Sequence, residues 1–269
     1  MKKLATALVS AAAIMTMSTT AFAAENPADV FDRVMEKNNT IQSAEIQSGV
    51  HSVILAKDVI PDGQMKVDMA MHAEMDMQDT TDLKYLAQIA SSILGQDSYS
   101  QVFYTDGYYY VDTNGVKLKY PMPLEQIISS VQTGVTTSNM ESSYMKGISL
   151  NEVNGKRVLA YEANPKKLNK NVKEALGTVM NTLGTDVNLD MNIQEMKGAY
   201  VLDDNDYIIY MTNYIVYNME VLDQPMTCIT LMETEVQNPG EPVVVTLPST
   251  DGYEDLIGLY DGVIESEVE

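Results

Sequence analysis

The sequence predicts an α+β protein built on a strongly curved antiparallel sheet of about ten to twelve strands, with helices inserted between them. Three observations carry this. In residues 64–78, Met65, Val67, Met69, Met71, Ala73, Met75 and Met77 fall on every second position, with Lys66, Asp68, Ala70, His72, Glu74 and Asp76 between them. Successive strand side chains point to opposite faces, so this alternation gives one apolar and one wet face. Next, Asp106-Gly107, Asn114-Gly115 and Asn154-Gly155 each separate short alternating runs, the strongest local signal for a tight hairpin. Last, residues 207–221 form one run that would extend about 50 Å, a length suited to a bent sheet or barrel.

The elements follow in order. Residues 27–37 read as a helix: Pro27 suits the first turn, Asp29 favours its start, and Val30, Phe31, Val34 and Met35 form a stripe. Residues 41–57 read as a strand, joined through Pro61-Asp62-Gly63 to the methionine strand. In residues 80–95 the period changes. Leu83, Leu86, Ile89, Ala90, Ile93 and Leu94 recur at helical spacing, Thr80 or Thr81 suits an N-cap and Gly95 a C-cap. A helix is expected there, placed as a lid on a cupped sheet. Short strands then fill 98–120, and a short helix 124–132 follows Pro121 and Pro123. Residues 145–153 and 156–163 form a hairpin, and 167–183 a helix with Leu168, Val172, Ala175, Leu176, Val179, Met180 and Leu183 as its stripe. Val187, Leu189, Met191 and Ile193 repeat the alternation of the methionine strand. Strands are expected at 199–202, 207–221 (with a break conceivable at Asn213), 226–236 and 243–247, then a fraying helix in the acidic tail 251–269.

At the other end, Met1-Lys2-Lys3, an apolar run over 4–17 and Ala21-Phe22-Ala23 read as a secretory signal peptide cleaved near Ala23–Ala24. Residues 24–250 then form a single domain. No cysteine stands at the cleavage point to carry a lipid, and no second run is long enough to span a bilayer, so an extracytoplasmic protein is expected. The only cysteine, Cys228, excludes an internal disulfide and reads as a small buried hydrophobe. With 17 basic against 38 acidic residues the net charge is −21. Removing Lys2 and Lys3 brings it near −23, which argues against nucleic acid and anionic surfaces as partners.

The chemistry-bearing residues are few. His51 and His72 are the only histidines, and neither HExxH, G-x-S-x-G nor a glycine-rich phosphate loop occurs, so no enzyme is expected. The acidic turn 203–206 lacks the spacing of a calcium loop. Met69, Met71, His72 and Met75 suggest a Cu(I) or Ag(I) binder, since soft thioethers select such ions. Yet His72 faces away from the methionines on a strand, and the alternation outruns any three- or four-ligand site. No metal site and no cofactor is expected. Leu247-Pro248-Ser249-Thr250 resembles a sortase signal but lacks its glycine and a following apolar span.

This layout, with the helix PADVFDRVMEKNN, the long alternating strands, the phrase YTDGYYYVD at 104–112 and the closing VVVTLP, resembles the LolA/LolB/LppX-like superfamily of extracytoplasmic lipoprotein and lipid carriers. The resemblance implies an unclosed antiparallel half-barrel with helices packed on its concave side, and an apolar ligand held between them. The expected function is a non-enzymatic carrier or sensor of a lipid, acyl chain or other apolar small molecule, monomeric, with transient contact with the cell envelope. Its wall would comprise Met65, Val67, Met69, Met71, Met75 and Met77, with Leu189, Met191 and Ile193. Leu86, Ile89 and Ile93 of the lid and Leu176, Val179 and Met180 of the later helix would face it. Methionine, flexible and polarizable, suits a wall that accepts varied shapes. The same row equally suits a filled core, and a cell-surface structural module without ligand is the competing expectation.

Overall fold

The computed structural model describes residues 25–56, 60, 62–79, 83–123, 140–170, 191–221 and 224–255. One helix, α1 (Pro27–Asn38), precedes the sheet. Asn26 Oδ1 accepts from Ala28 N at 3.1 Å, and the predicted stripe Val30, Phe31, Val34 and Met35 is buried. The strands are β1 (Ser43–Leu55), β2 (Gln64–Asp76), β3 (Lys84–Ile93), β4 (Gln96–Thr105), β5 (Tyr108–Thr113), β6 (Val116–Pro121), β7 (Met145–Val153), β8 (Lys156–Ala163), β9 (Asn192–Leu202), β10 (Ile208–Val221), β11 (Gln224–Gln237) and β12 (Glu254–Asp255). Among the described residues they form one open sheet in the order β12-β6-β5-β4-β3-β2-β1-β11-β10-β9-β8-β7.

The hairpins form where the turn dipeptides predict them. Asp106-Gly107, Asn114-Gly115 and Asn154-Gly155 all hold positive φ at both positions, the conformation that matches the twist of the flanking strands. The run 208–221 is unbroken at Asn213.

Three expectations are overturned. The lid helix over 80–95 does not form: Lys84–Ile93 is strand β3, paired antiparallel with β4 from Tyr85↔Tyr104 to Ile93↔Gln96. Gly95, read as a helix cap, is the second residue of a two-residue turn, with φ 53° at Leu94 and 76° at Gly95. A positive-φ glycine serves both roles, so the sequence signal is shared. Residues 243–247 are not a strand; they run without ladder pairing, with Val245 buried. Glu254 and Asp255 are a short strand parallel to β6, not the start of a helix. Of the predicted 167–183 helix, residues 165–170 are helical with Leu168 buried; the rest lies outside the described residues, as does the 124–132 helix.

Chain contacts divide the protein into two compact units, each with its own core. In the first, α1 lies on β7–β10, burying Val30, Phe31 and Val34 against Leu159, Tyr161, Tyr200 and Met211. In the second, Leu86, Phe103 and Tyr110 are covered by Val243, Val245, Leu247 and Tyr253. No helix among the described residues is long and apolar enough to cross a membrane.

Candidate functional site

Strand register defines one apolar face in the first unit. Across β10 and β9, Met211 faces Tyr200, Asn213 faces Gly198, and Ile215 faces Met196. Tyr200 and Gly198 face Leu159 and Tyr161 of β8, which face Leu150 and Ile148 of β7. On the other side, Asn213, Ile215, Tyr217 and Met219 face Met232, Thr230, Cys228 and Met226 of β11. Thr230 Oγ1 lies 2.9 Å from Ser52 Oγ, which brings Val50, Ser52 and Ile54 of β1 to the same face. His51 Nδ1 and Asp68 Oδ1, 2.6 Å apart, occupy the reverse face, leaving Met65 and Val67 of β2 on the apolar one.

Burial along this face is uneven. Near α1, Met211 and Asn213 are 6% and 1% exposed. Further along, Ile215, Tyr217, Met219 and Met226 are half-buried, as are Met232, beside Asn213 on β11, and Met65 and Val67, whereas Met196, Ile193 and Cys228 of the same face are buried at 7%, 6% and 2% exposed. The twelve residues of α1 span about 18 Å, whereas the fourteen of β10 extend about 46 Å.

A polar cluster interrupts the face where it is most buried. Gly198 lacks a side chain, so the Tyr161 ring crosses over β9 and its hydroxyl donates to Asn213 Oδ1. A Cβ on Gly198 would lie 2.4 Å from Thr212 O and 2.8 Å from the Tyr161 hydroxyl. Tyr161 stacks on Tyr200 at 5.2 Å and meets Phe31 edge-on at 5.7 Å. Burial first, then the neighbouring Tyr200, hold the Tyr161 hydroxyl well above the usual phenol range, so it stays a neutral donor. Asn213 Nδ2 has no hydrogen-bond partner among the described residues.

The helix end is pinned by a second polar group. Asn38 Nδ2 donates to Val34 O and Asp206 O at 2.8 and 3.0 Å, and its Oδ1 accepts from Ile208 N at 2.9 Å. Asp206 lies between Arg33 Nε at 2.9 Å and Arg157 Nη2 at 2.6 Å. Burial draws its pKa upward, but the hydrogen bonds and charges of the two arginines outweigh this and hold it below 3.8.

The second unit carries a different face, buried at Ala87, Val102 and Tyr104. Tyr85, Tyr104, Tyr109 and Tyr120 are successive cross-strand partners on β3, β4, β5 and β6, a tyrosine row across four strands. Ala87, Val102, Val111 and Leu118 form the next row on that face. Burial raises the Tyr85, Tyr109 and Tyr120 pKa values.

The profile of a family of unknown function (DUF6612) matches residues 26–248. The chain belongs to DUF6612. No curated protein matches it. Among solved structures, LprF from Mycobacterium bovis is 10% identical with a TM-score of 0.38, covering 83% of this chain and 97% of its own. The Mycobacterium tuberculosis lipoprotein LppX is 10% identical with a TM-score of 0.35, covering 82% of this chain and 100% of its own. The ywiB protein of Bacillus subtilis is 10% identical at 0.21, covering 74% and 96%. Likenesses this weak decide neither fold nor ligand.

The expected wall residues of the DUF6612 chain disperse. Met65 and Val67 are half-buried in the first unit, and Ile193 is buried there among the core residues beneath α1, with Met191 half-buried nearby. Met71 and Ile89 are half-buried in the second unit, Met69 and Ile93 are 38% and 44% exposed, and Met75 and Met77 are 2% exposed. Leu86 is not a lid residue: it is buried in the second core against Phe103, on the face away from Tyr85 and Ala87. Leu176, Val179, Met180 and Leu189 lie outside the described residues. Among the described residues no three His, Cys, Asp or Glu side chains are grouped to hold a metal. The sequence reading missed Met219, Met226 and Met232, which stand at every-other-residue positions in their strands, and the tyrosine row. For the latter a signal existed: a two-residue turn at 106–107 pairs 104 with 109, and one at 114–115 pairs 109 with 120.

Proposed function

We propose that the protein is a non-enzymatic, extracytoplasmic carrier or sensor of an apolar ligand, a lipid or acyl chain, bound on a curved half-barrel sheet with helices on its concave side. The observation that carries this reading is the apolar face of the first unit, where a core closes beneath α1 while Met65, Met219, Met226 and Met232 stay half-buried. Apolar area removed from water would drive binding, and thioether side chains would adapt to chain length and branching. The superfamily resemblance and the signal-like residues 1–23 support the same reading. Protein purified from its own host without detergent, then analysed by native mass spectrometry and solvent extraction, tests it. The reading expects a co-purifying apolar species; bare protein together with no uptake of an apolar dye would overturn it.

The competing reading, a ligand-free structural module at the cell surface, draws on the other end of the methionine row. Ala73, Met75 and Met77 are each 2% exposed and act there as ordinary core. A ligand-accessible volume of several hundred cubic ångströms against the half-buried methionines separates the two readings.

A further inference from the structure

The one cysteine of the chain lies within a patch of sulfur. Cys228 on β11 is 2% exposed, and its Sγ lies 3.7 Å from Met219 Sδ on β10. Met226 is the direct cross-strand partner of Met219 and precedes Cys228 by two residues, so all three side chains stand on one side of the hairpin. Met219 and Met226 are half-buried, whereas Cys228 is buried. Strand positions favour β-branched residues, and this hairpin uses them elsewhere, at Ile215, Val216, Ile229 and Thr230.

We propose that Met219, Met226 and Cys228 form a three-coordinate site for a soft monovalent metal ion, Cu(I) or Ag(I). Thiolate and thioether ligands select such ions over hard cations, which need oxygen donors. Three sulfurs each about 2.3 Å from a central ion stand about 4 Å apart, close to the separation of the Cys228–Met219 pair. When the ion binds, the Cys228 S–H bond breaks, the proton leaves to solvent, and a metal–sulfur bond forms. The ion enters and remains monovalent, so no electrons are exchanged. Without metal, burial raises the Cys228 pKa against a smaller opposite effect of Tyr217, and the group is a neutral thiol. The site differs from the MAMHAEM segment of β2. There His72 lies 3.8 Å from Glu45 and 3.4 Å from Glu74, on the face away from Met71 and Met75.

The full chain is titrated anaerobically against Cu(I) held by bicinchoninate, and the Cu(I)-loaded chain is examined by X-ray absorption. The expected result is one Cu(I) withdrawn per chain, with three sulfurs in its first shell. Met219→Leu and Met226→Leu, which keep side-chain volume but remove sulfur, each weaken binding by about tenfold or more, and Cys228→Ser by more. Met122→Leu, in the second unit, is expected to bind as the natural chain does. The proposal is overturned if the natural chain withdraws no Cu(I), or if both leucine variants bind unchanged, which marks a lone thiol. Fewer than three sulfurs in the X-ray absorption of the natural chain overturns it without reference to any variant.

Discussion

The two units close their cores by different means. In the first, a helix supplies Val30, Phe31 and Val34 at helical spacing and is fixed at its end by Asn38 and the Arg33–Asp206–Arg157 group. In the second, a segment without regular structure supplies Val243, Val245 and Leu247 at alternate positions, then Tyr253, which meets Tyr110 edge-on at 5.1 Å. A helix covers a compact patch and leaves its ends to be satisfied by polar groups. An extended segment covers a long narrow strip and relies on alternate side chains and rings. In the first unit Met65, Met219, Met226 and Met232 stay half-buried, which is where a ligand is proposed.

The largest effect expected from breaking this contrast is at Phe31. Its ring contacts both Tyr161 and Tyr200, and Phe31→Ala should cost about 4 kcal/mol in denaturant unfolding. Gly198→Ala comes next at about 3 kcal/mol, because the added Cβ meets the backbone oxygen of Thr212 rather than a flexible side chain. Asn38→Ala should cost about 2 kcal/mol, since it leaves the Ile208 N–H without its acceptor in a buried place.

A smaller effect separates the units by acid. Asp206 has a folded pKa depressed below 3.8, so its stabilising contribution is present above that value and lost as pH falls through the folded value. Asp206→Asn should remove this part of the acid sensitivity, measured as unfolding free energy from pH 5 to pH 2. If the variant and the natural chain follow the same curve, the arginine pair does not pin the helix end. The finest test is in the extended segment. Val245 is 8% exposed and Val244 89%. Val245→Ala should cost about 1 kcal/mol, while Val244→Ala stays within about 0.5 of zero.

The legible features in the sequence were those set by local chemistry. The methionine alternation gave β2, the Asp-Gly and Asn-Gly pairs gave three hairpins, and the stripe with Pro27 gave α1. β3 was misread because Leu86, Ile89 and Ile93 satisfy a helical period by coincidence, and pairing with β4 overrides a weak helix preference. Residues 243–247 look like a strand because burying every second side chain gives the same pattern whether or not the backbone joins a ladder. The site was legible only in type. Met65 and Val67 belong to a methionine-bearing face, but Met219, Met226 and Met232 join them through β1, β10 and β11, contacts between segments far apart in sequence.

The most direct test of the proposed carrier role is titration of the refolded, lipid-free chain with a fluorescent fatty-acid analogue, comparing the natural chain with Met232→Asp on the half-buried face and Val244→Asp on an exposed site. The account predicts saturable binding by the natural chain and by Val244→Asp, displaced by unlabelled fatty acid, and its loss in a folded Met232→Asp. Binding that Met232→Asp leaves intact, or no saturable binding in any of the three, contradicts it.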